Sequence, residues 1–214
     1  MTPGKRSSPS SRFLCMEGMD GAGKSTQLSL LEDWLRGRGE KVTLCRDPGG
    51  TAVSEQIRQL LLAPPPGTEI SFRTEMLLYM ASRAQLVDDV IRPALDRGEV
   101  VLCDRFLLST VVYQGYAGGL DPEMIWRVGT EAADGCLPGW IGVLDLPPEE
   151  SIARRQGPAD RIEQRSLEYY QKVRAGYQRE AARHPDQICL IDARQPRDQV
   201  HVEIIREVSR ALEA

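Results

Sequence analysis

Glu17-Gly18-Met19-Asp20-Gly21-Ala22-Gly23-Lys24-Ser25-Thr26 carries the spacing GxxxxGK[ST], and the apolar run Phe13-Leu14-Cys15-Met16 leads into it as a buried strand should. A polyphosphate needs many hydrogen-bond donors at close range. The glycines let backbone N–H groups approach it, and the positive end of the helix that follows favours its charge. Lys24 then reaches the outer phosphates and Ser25 a magnesium ion. Strand, loop and helix in this order predict an α/β nucleotide-binding enzyme.

Downstream of the loop, Leu28, Leu31 and Leu35 recur at helical spacing, and Gly37 and Gly39 are stop signals, which predicts a helix over 24–38. A second strand, Lys41 to Arg46, ends in Asp47-Pro48-Gly49-Gly50-Thr51, a loop at a strand's carboxyl end. Ligands of open parallel sheets gather at that edge, so Arg46 and Asp47 are site candidates. A helix from Val53 to Leu62 and a Pro-rich linker precede a longer helix over 72–95, which Pro93 kinks or ends. Tyr79 and Arg83 lie four apart on it and share a face, either as a base-holding pair or as a core tyrosine beside a surface arginine. A third strand delivers Asp104-Arg105, resembling the second magnesium-binding element of phosphate-loop proteins. A fourth, Trp140 to Leu146, contains the rival acid Asp145. The segment from Glu149 to Arg165 places Arg154, Arg155, Arg161 and Arg165 around Gln156-Gly157-Pro158-Ala159, a basic loop suited to close over transferring phosphates. Tyr169, Tyr170, Val173 and Tyr177 on the helix over 167–182 read as packing. A fifth strand over 187–191 and a helix over 196–212 complete a parallel sheet covered on both faces.

A chain of 214 residues suits one domain with a small insert. A net charge of -4 argues against a nucleic-acid backbone as partner. No apolar run reaches membrane-spanning length, and residues 1–11 lack the hydrophobic core of a signal peptide, so a disordered tail is expected there. Five cysteines without a CxxC pair give no zinc or disulfide pattern; Cys15, Cys45, Cys103 and Cys189 fall in predicted strands as buried thiols. A reducing cytoplasm fits. The two histidines, His184 and His201, lie far from these motifs. An alcohol acceptor would want a nearby base, whereas a phosphate monoester, with its second pKa near ~6, is already an anionic nucleophile at pH 7. Arginines after the second and third strands suit that acceptor.

These residues together resemble the bacterial thymidylate kinases, in EGMDGAGKST, RDPGGT, LLYMASRAQL, DRFLLSTVVYQG, the lid ending in DRIEQ, and IDARQP, from about Phe13 to Leu212. The resemblance implies a nucleoside monophosphate kinase fold over 12–214, with five parallel strands flanked by helices and a lid near 150–165. It implies transfer of the ATP γ-phosphate to dTMP, giving dTDP, in a homodimer. On that basis Gly18, Met19, Asp20, Gly21, Ala22, Gly23, Lys24, Ser25 and Thr26 bind ATP, and Ser25 with Asp104 holds Mg²⁺. Arg46 and Arg105 grip the dTMP phosphate. Tyr79 stacks on thymine, Arg83 bonds its O4, and Thr110 or Gln114 completes the base contacts. Tyr113 crowds the sugar 2′ position, and Asp20 lies near the 3′-hydroxyl. Some members carry a catalytic arginine in the loop where this chain has Gly21, which shifts that charge to Arg154, Arg155 or Arg161. A regulatory GTPase would need an NKxD-like signature, which is absent. A deoxynucleoside kinase would want a carboxylate at Arg46, and Asp47 keeps that rival open.

Overall fold

Alternation along the first strand is what allows a sheet to be covered on both sides, since successive side chains point to opposite faces. The computed structural model describes residues 10–155 and 160–213. In β1 (Ser10–Gly18), Phe13 and Cys15 enter one apolar layer while Leu14 and Met16 enter the other, all fully buried. Each such side chain contributes roughly 1.5–3 kcal/mol of transfer free energy.

The chain continues through α1 (Lys24–Gly37), β2 (Val42–Arg46), α2 (Ala52–Leu62) and α3 (Phe72–Leu86), with a π-helical turn at Val87–Ile91. Then come α4 (Arg92–Asp96), β3 (Val100–Asp104) and α5 (Leu107–Thr110), with a second π-helical segment at Val111–Ala117. α6 (Pro122–Ala132), β4 (Pro138–Asp145), α7 (Pro148–Arg154), α8 (Leu167–Arg183), β5 (Ile188–Asp192) and α9 (Arg197–Glu213) complete the order. The five strands are parallel in the order β2-β3-β1-β4-β5. Leu28, Leu31 and Leu35 of α1 meet Val200, Ile204 and Val208 of α9 over one face; residues of α3, α5, α6 and α8 cover the other. The chain leaves β1 for edge strand β2, returns through β3, and adds β4 on β1's far side. The crevice at the carboxyl end of β1 is therefore the switch point where ligands of such sheets bind.

Two boundaries and one burial differ from the sequence expectation. Ser10 and Ser11 already belong to β1; residues 1–9 of the expected tail, like residues 156–159 of the expected basic loop, lie outside the described residues. The helix expected over 72–95 runs on to Asp96 with its break upstream of Pro93: Arg92 N–H reaches back to Val87 O in the π turn, and Pro93 then sits in the first turn of α4, where a missing N–H costs little. Cys189, expected buried, is only half-buried on edge strand β5, whereas Cys15, Cys45 and Cys103 are in the core.

Candidate active site

The phosphate loop is made of backbone. Gly23, at φ 98°, ends it without a side-chain cap, so the first amides of α1 have no side chain capping them and are available to an anion. Lys24 is buried, and its Nζ donates to Gly18 O (3.0 Å) and Met19 O (3.1 Å) and approaches Asp20 Oδ1 (3.4 Å). Burial and the neighbouring Arg105 guanidinium push that ammonium below the usual lysine range. Above the loop opens a cavity of about 620 Å³ lined by Gly21, Gly23, Lys24, Ser25, Thr26, Arg46, Asp104, Arg154 and Arg155, among others.

A second pocket adjoins it and shares Asp20, Asp47, Arg58 and Arg105 with it. Arg105 sits at φ 65°, with its N–H donated to Met16 O, and its guanidinium donates to Asp20 Oδ1 (2.7 Å) and Ser109 Oγ (3.1 Å). Burial alone would raise the Asp20 carboxyl, but Arg105 and Lys24 outweigh it and hold the group well below the usual carboxylate range. Deeper in, Arg83 is 1% exposed; its Nε donates to Asp47 Oδ2 (2.7 Å) and its Nη2 to Thr110 Oγ1 (2.9 Å). Of the two readings of Tyr79 and Arg83, the surface arginine is thus excluded. Tyr79 lines the same pocket, and burial, then the Glu75 carboxylate, pushes its phenol up to about 12. Tyr113 is buried, with its Oη unpartnered among the described residues, and Arg105 lies 5.4 Å from its ring centre.

The expected residues divide unevenly. Met19 and Ala22 are buried and support the loop through packing and backbone. Arg46 lines the loop cavity, held by the half-exposed Glu55 at 2.9 Å. Asp47 accepts from Arg83 through Oδ2, while its Oδ1 has no partner among the described residues and burial pushes its carboxyl up. Thr110 is spent on Arg83, while Gln114 donates to Glu75 Oε2 (2.9 Å) and keeps its Oε1 unpartnered among the described residues. Arg155 donates to Glu163 O and stacks 4.4 Å from the Tyr170 ring centre, leaving Nε and Nη2 without partners among the described residues. Arg154 reaches Ala193 O (3.1 Å). Arg161 departs from the expected grouping: it bonds Leu61 O (2.8 Å) and Glu75 Oε1 (2.6 Å) and does not line the loop cavity. The absent loop arginine has a steric reason. A Cβ on Gly21, which sits at φ 88°, would lie 2.4 Å from Ser151 O, and Ser151 Oγ itself donates to Asp20 O.

For a magnesium ion, Ser25 is exposed and Asp104, whose Oδ1 has no partner among the described residues, lines the same cavity. Two hard oxygen donors beside a phosphate site fit Mg²⁺, which keeps several waters and phosphate oxygens as ligands. Asp145 is instead clamped by Arg174 through two 2.8 Å bonds.

Sequence reasoning missed Glu17 and Glu75, both fully buried carboxylates. Glu17 accepts from the N–H groups of Phe106 and Ser109, from Ser109 Oγ and from Tyr177 Oη, and so holds the turn that presents Arg105. Tyr177, read as packing, belongs to this network. The available signals were a charge at the end of an apolar strand and, for Glu75, its place four residues before Tyr79 and eight before Arg83 on one helix face.

Comparison with known proteins finds one family throughout. A family model described as thymidylate kinase matches residues 16–204. The chain is 45% identical to the thymidylate kinase of Pelotomaculum thermopropionicum over 206 residues, covering 95% of each. It is also 45% identical to that of Symbiobacterium thermophilum over 201 residues, covering 94% of each. A crystal structure of thymidylate kinase from Ehrlichia chaffeensis matches with a TM-score of 0.73 at 30% identity, covering 91% of this chain and 96% of that one.

Proposed function

The chain belongs to the thymidylate kinase family, which makes it a phosphotransferase that converts dTMP to dTDP with ATP; on that premise we propose that the loop cavity holds the ATP phosphates and the adjoining pocket holds dTMP. One observation supports this division above the rest: the two cavities meet at Asp20 and Arg105, so a donor phosphate over Lys24 and an acceptor phosphate beside Arg105 become neighbours.

The acceptor phosphate oxygen forms a bond to the γ-phosphorus as the bond to the bridging oxygen of ADP breaks. No proton needs removing from the dianion, so the protein's work is positioning and charge neutralisation. Arg105 and Arg46 hold the acceptor phosphate; Arg46 leaves an exposed pair with Glu55, a loss of roughly 0–1 kcal/mol. Lys24 and the loop amides hold the donor. Tyr79 stacks on thymine, Arg83 donates to its O4, and Tyr113 stands against a 2′-hydroxyl. Asp20 lies by the 3′-hydroxyl. Ser25 and Asp104 hold Mg²⁺, which when bound neutralises charge on the β- and γ-phosphates. Arg155, which lines the loop cavity and has two nitrogens without partners among the described residues, supplies the charge that Gly21 cannot.

Homodimer formation rests on the family and on Val53, Leu60 and Leu77, apolar side chains exposed on α2 and α3. A cytoplasmic location is supported by the free state of the cysteines; among the described residues no helix is long and apolar enough to cross a membrane. A coupled ADP-release assay across nucleoside monophosphates tests the reading. dTMP is expected to be preferred, dUMP weaker and thymidine inert. Turnover of thymidine, or equal use of AMP and dTMP, would sink it.

A further inference from the structure

Glu75 lies on the pocket side of α3, 0% exposed, and its two oxygens are shared between separate parts of the chain. Oε2 accepts from Gln114 Nε2 (2.9 Å). Oε1 accepts from Arg161 Nη1 (2.6 Å) and Arg165 Nη2 (2.5 Å). Arg165 is further held between the Phe72 and Tyr169 rings, 4.4 and 4.6 Å from their centres. The segment that carries Arg161 also contributes Asp160 and Ile162 to the pocket wall.

We propose that Glu75 is a positioning residue for recognition of the acceptor base: it sets which end of the Gln114 amide faces the pocket, and it anchors the 160–165 wall through Arg161 and Arg165. The chemistry is specific. A carboxylate between two guanidinium groups only accepts hydrogen bonds, so the amide must turn its NH₂ toward Glu75 and its Oε1 into the pocket. That oxygen, buried and without a partner among the described residues, is an acceptor matched to the N3–H of thymine, beside the donor Arg83. Cytosine presents an acceptor at N3 and meets it unfavourably. A neutral amide at position 75 would remove the bias, because two amides pair in either orientation. The proposal rests on dTMP as acceptor but goes beyond it, since Glu75 itself does not line the pocket and acts only through Gln114 and the two arginines.

The test compares wild type with Glu75→Gln for KM and kcat with dTMP and dCMP, and for affinity for an ATP analogue in the absence of acceptor. KM for dTMP should rise roughly tenfold or more, the scale of a lost bond to a charged group. The dTMP-to-dCMP ratio of kcat/KM should fall, while ATP-analogue affinity stays within about twofold. A KM and ratio both unchanged would overturn the role of Glu75 without touching the kinase reading, which fails separately if wild type does not use dTMP. Should Glu75→Gln not fold, Arg165→Gln carries the test from the less buried side. It should raise KM for dTMP at least ~3-fold with ATP-analogue affinity intact, and an unchanged KM would equally overturn the coupling.

Discussion

The phosphate loop and the acceptor pocket touch at Asp20 and Arg105, yet they are built in opposite ways. The loop uses backbone amides, glycine conformations and the open end of α1, all within a few consecutive residues. The pocket uses buried side chains drawn from the loop after β2, from α3, from α5 and the π segment that follows it, and from the 160–165 segment. Backbone donors need no charged partner inside the protein. Arg83 and Glu75 do, because a buried ion without compensation costs several kcal/mol. The loop side can therefore lose a side chain and lose chemistry while keeping its fold. The pocket side loses both together.

The largest separation is expected from Arg155→Ala. An arginine that stabilises a transferring phosphoryl group is worth ~10³–10⁵ in rate, whereas its stacking on Tyr170 contributes only ~0.5–2 kcal/mol. Turnover should fall by ~10³ or more with the urea midpoint little moved. Near-normal turnover would break the assignment of the loop's missing charge to this residue. On the other side, Arg83→Ala leaves Asp47 buried and unpaired and should cost ~3–5 kcal/mol in urea unfolding, beyond any loss of dTMP binding. If that variant is as stable as wild type, the pocket is not the charge network described.

The smallest effect lies where the regions join. The carboxyl of Asp20 is held below its ordinary value by Arg105 and Lys24, which outweigh burial. A carboxylate with a depressed folded-state pKa contributes stability that is in place above its unfolded value, ~3.9, and is lost as pH falls through the lower folded one. Asp20→Asn should flatten the loss of stability below about pH 4. An unchanged acid limb in unfolding midpoints would show that loop and pocket are not coupled through this group.

Legibility in the sequence follows the same division. The loop could be read because its spacing is its geometry, and the strands because continuous apolar runs mark a sheet buried on both faces. Tyr79 and Arg83 could be placed on one face but not in one pocket, since helical spacing says nothing about what lies opposite. Arg161 was grouped with Arg154 and Arg155 because the three are close in the chain. Glu75, on a helix far away in sequence, draws it elsewhere. Glu17 and Glu75 read as ordinary charged residues, because a carboxylate becomes a network centre only when distant donors arrive around it.

The sequence by itself determined the sheet, the phosphate loop and the class of acceptor, through local spacing, hydrophobic pattern and the kinds of charge on offer. Tertiary structure decided which charges are spent and which remain free. It tied one oxygen of Asp47 to Arg83, Asp145 to Arg174 and Arg161 to Glu75, and left the Asp104 Oδ1, two nitrogens of Arg155 and the Gln114 carbonyl without partners among the described residues. The reason is physical: burial makes every charge seek a partner, and partners are found across space, where sequence separation carries no information.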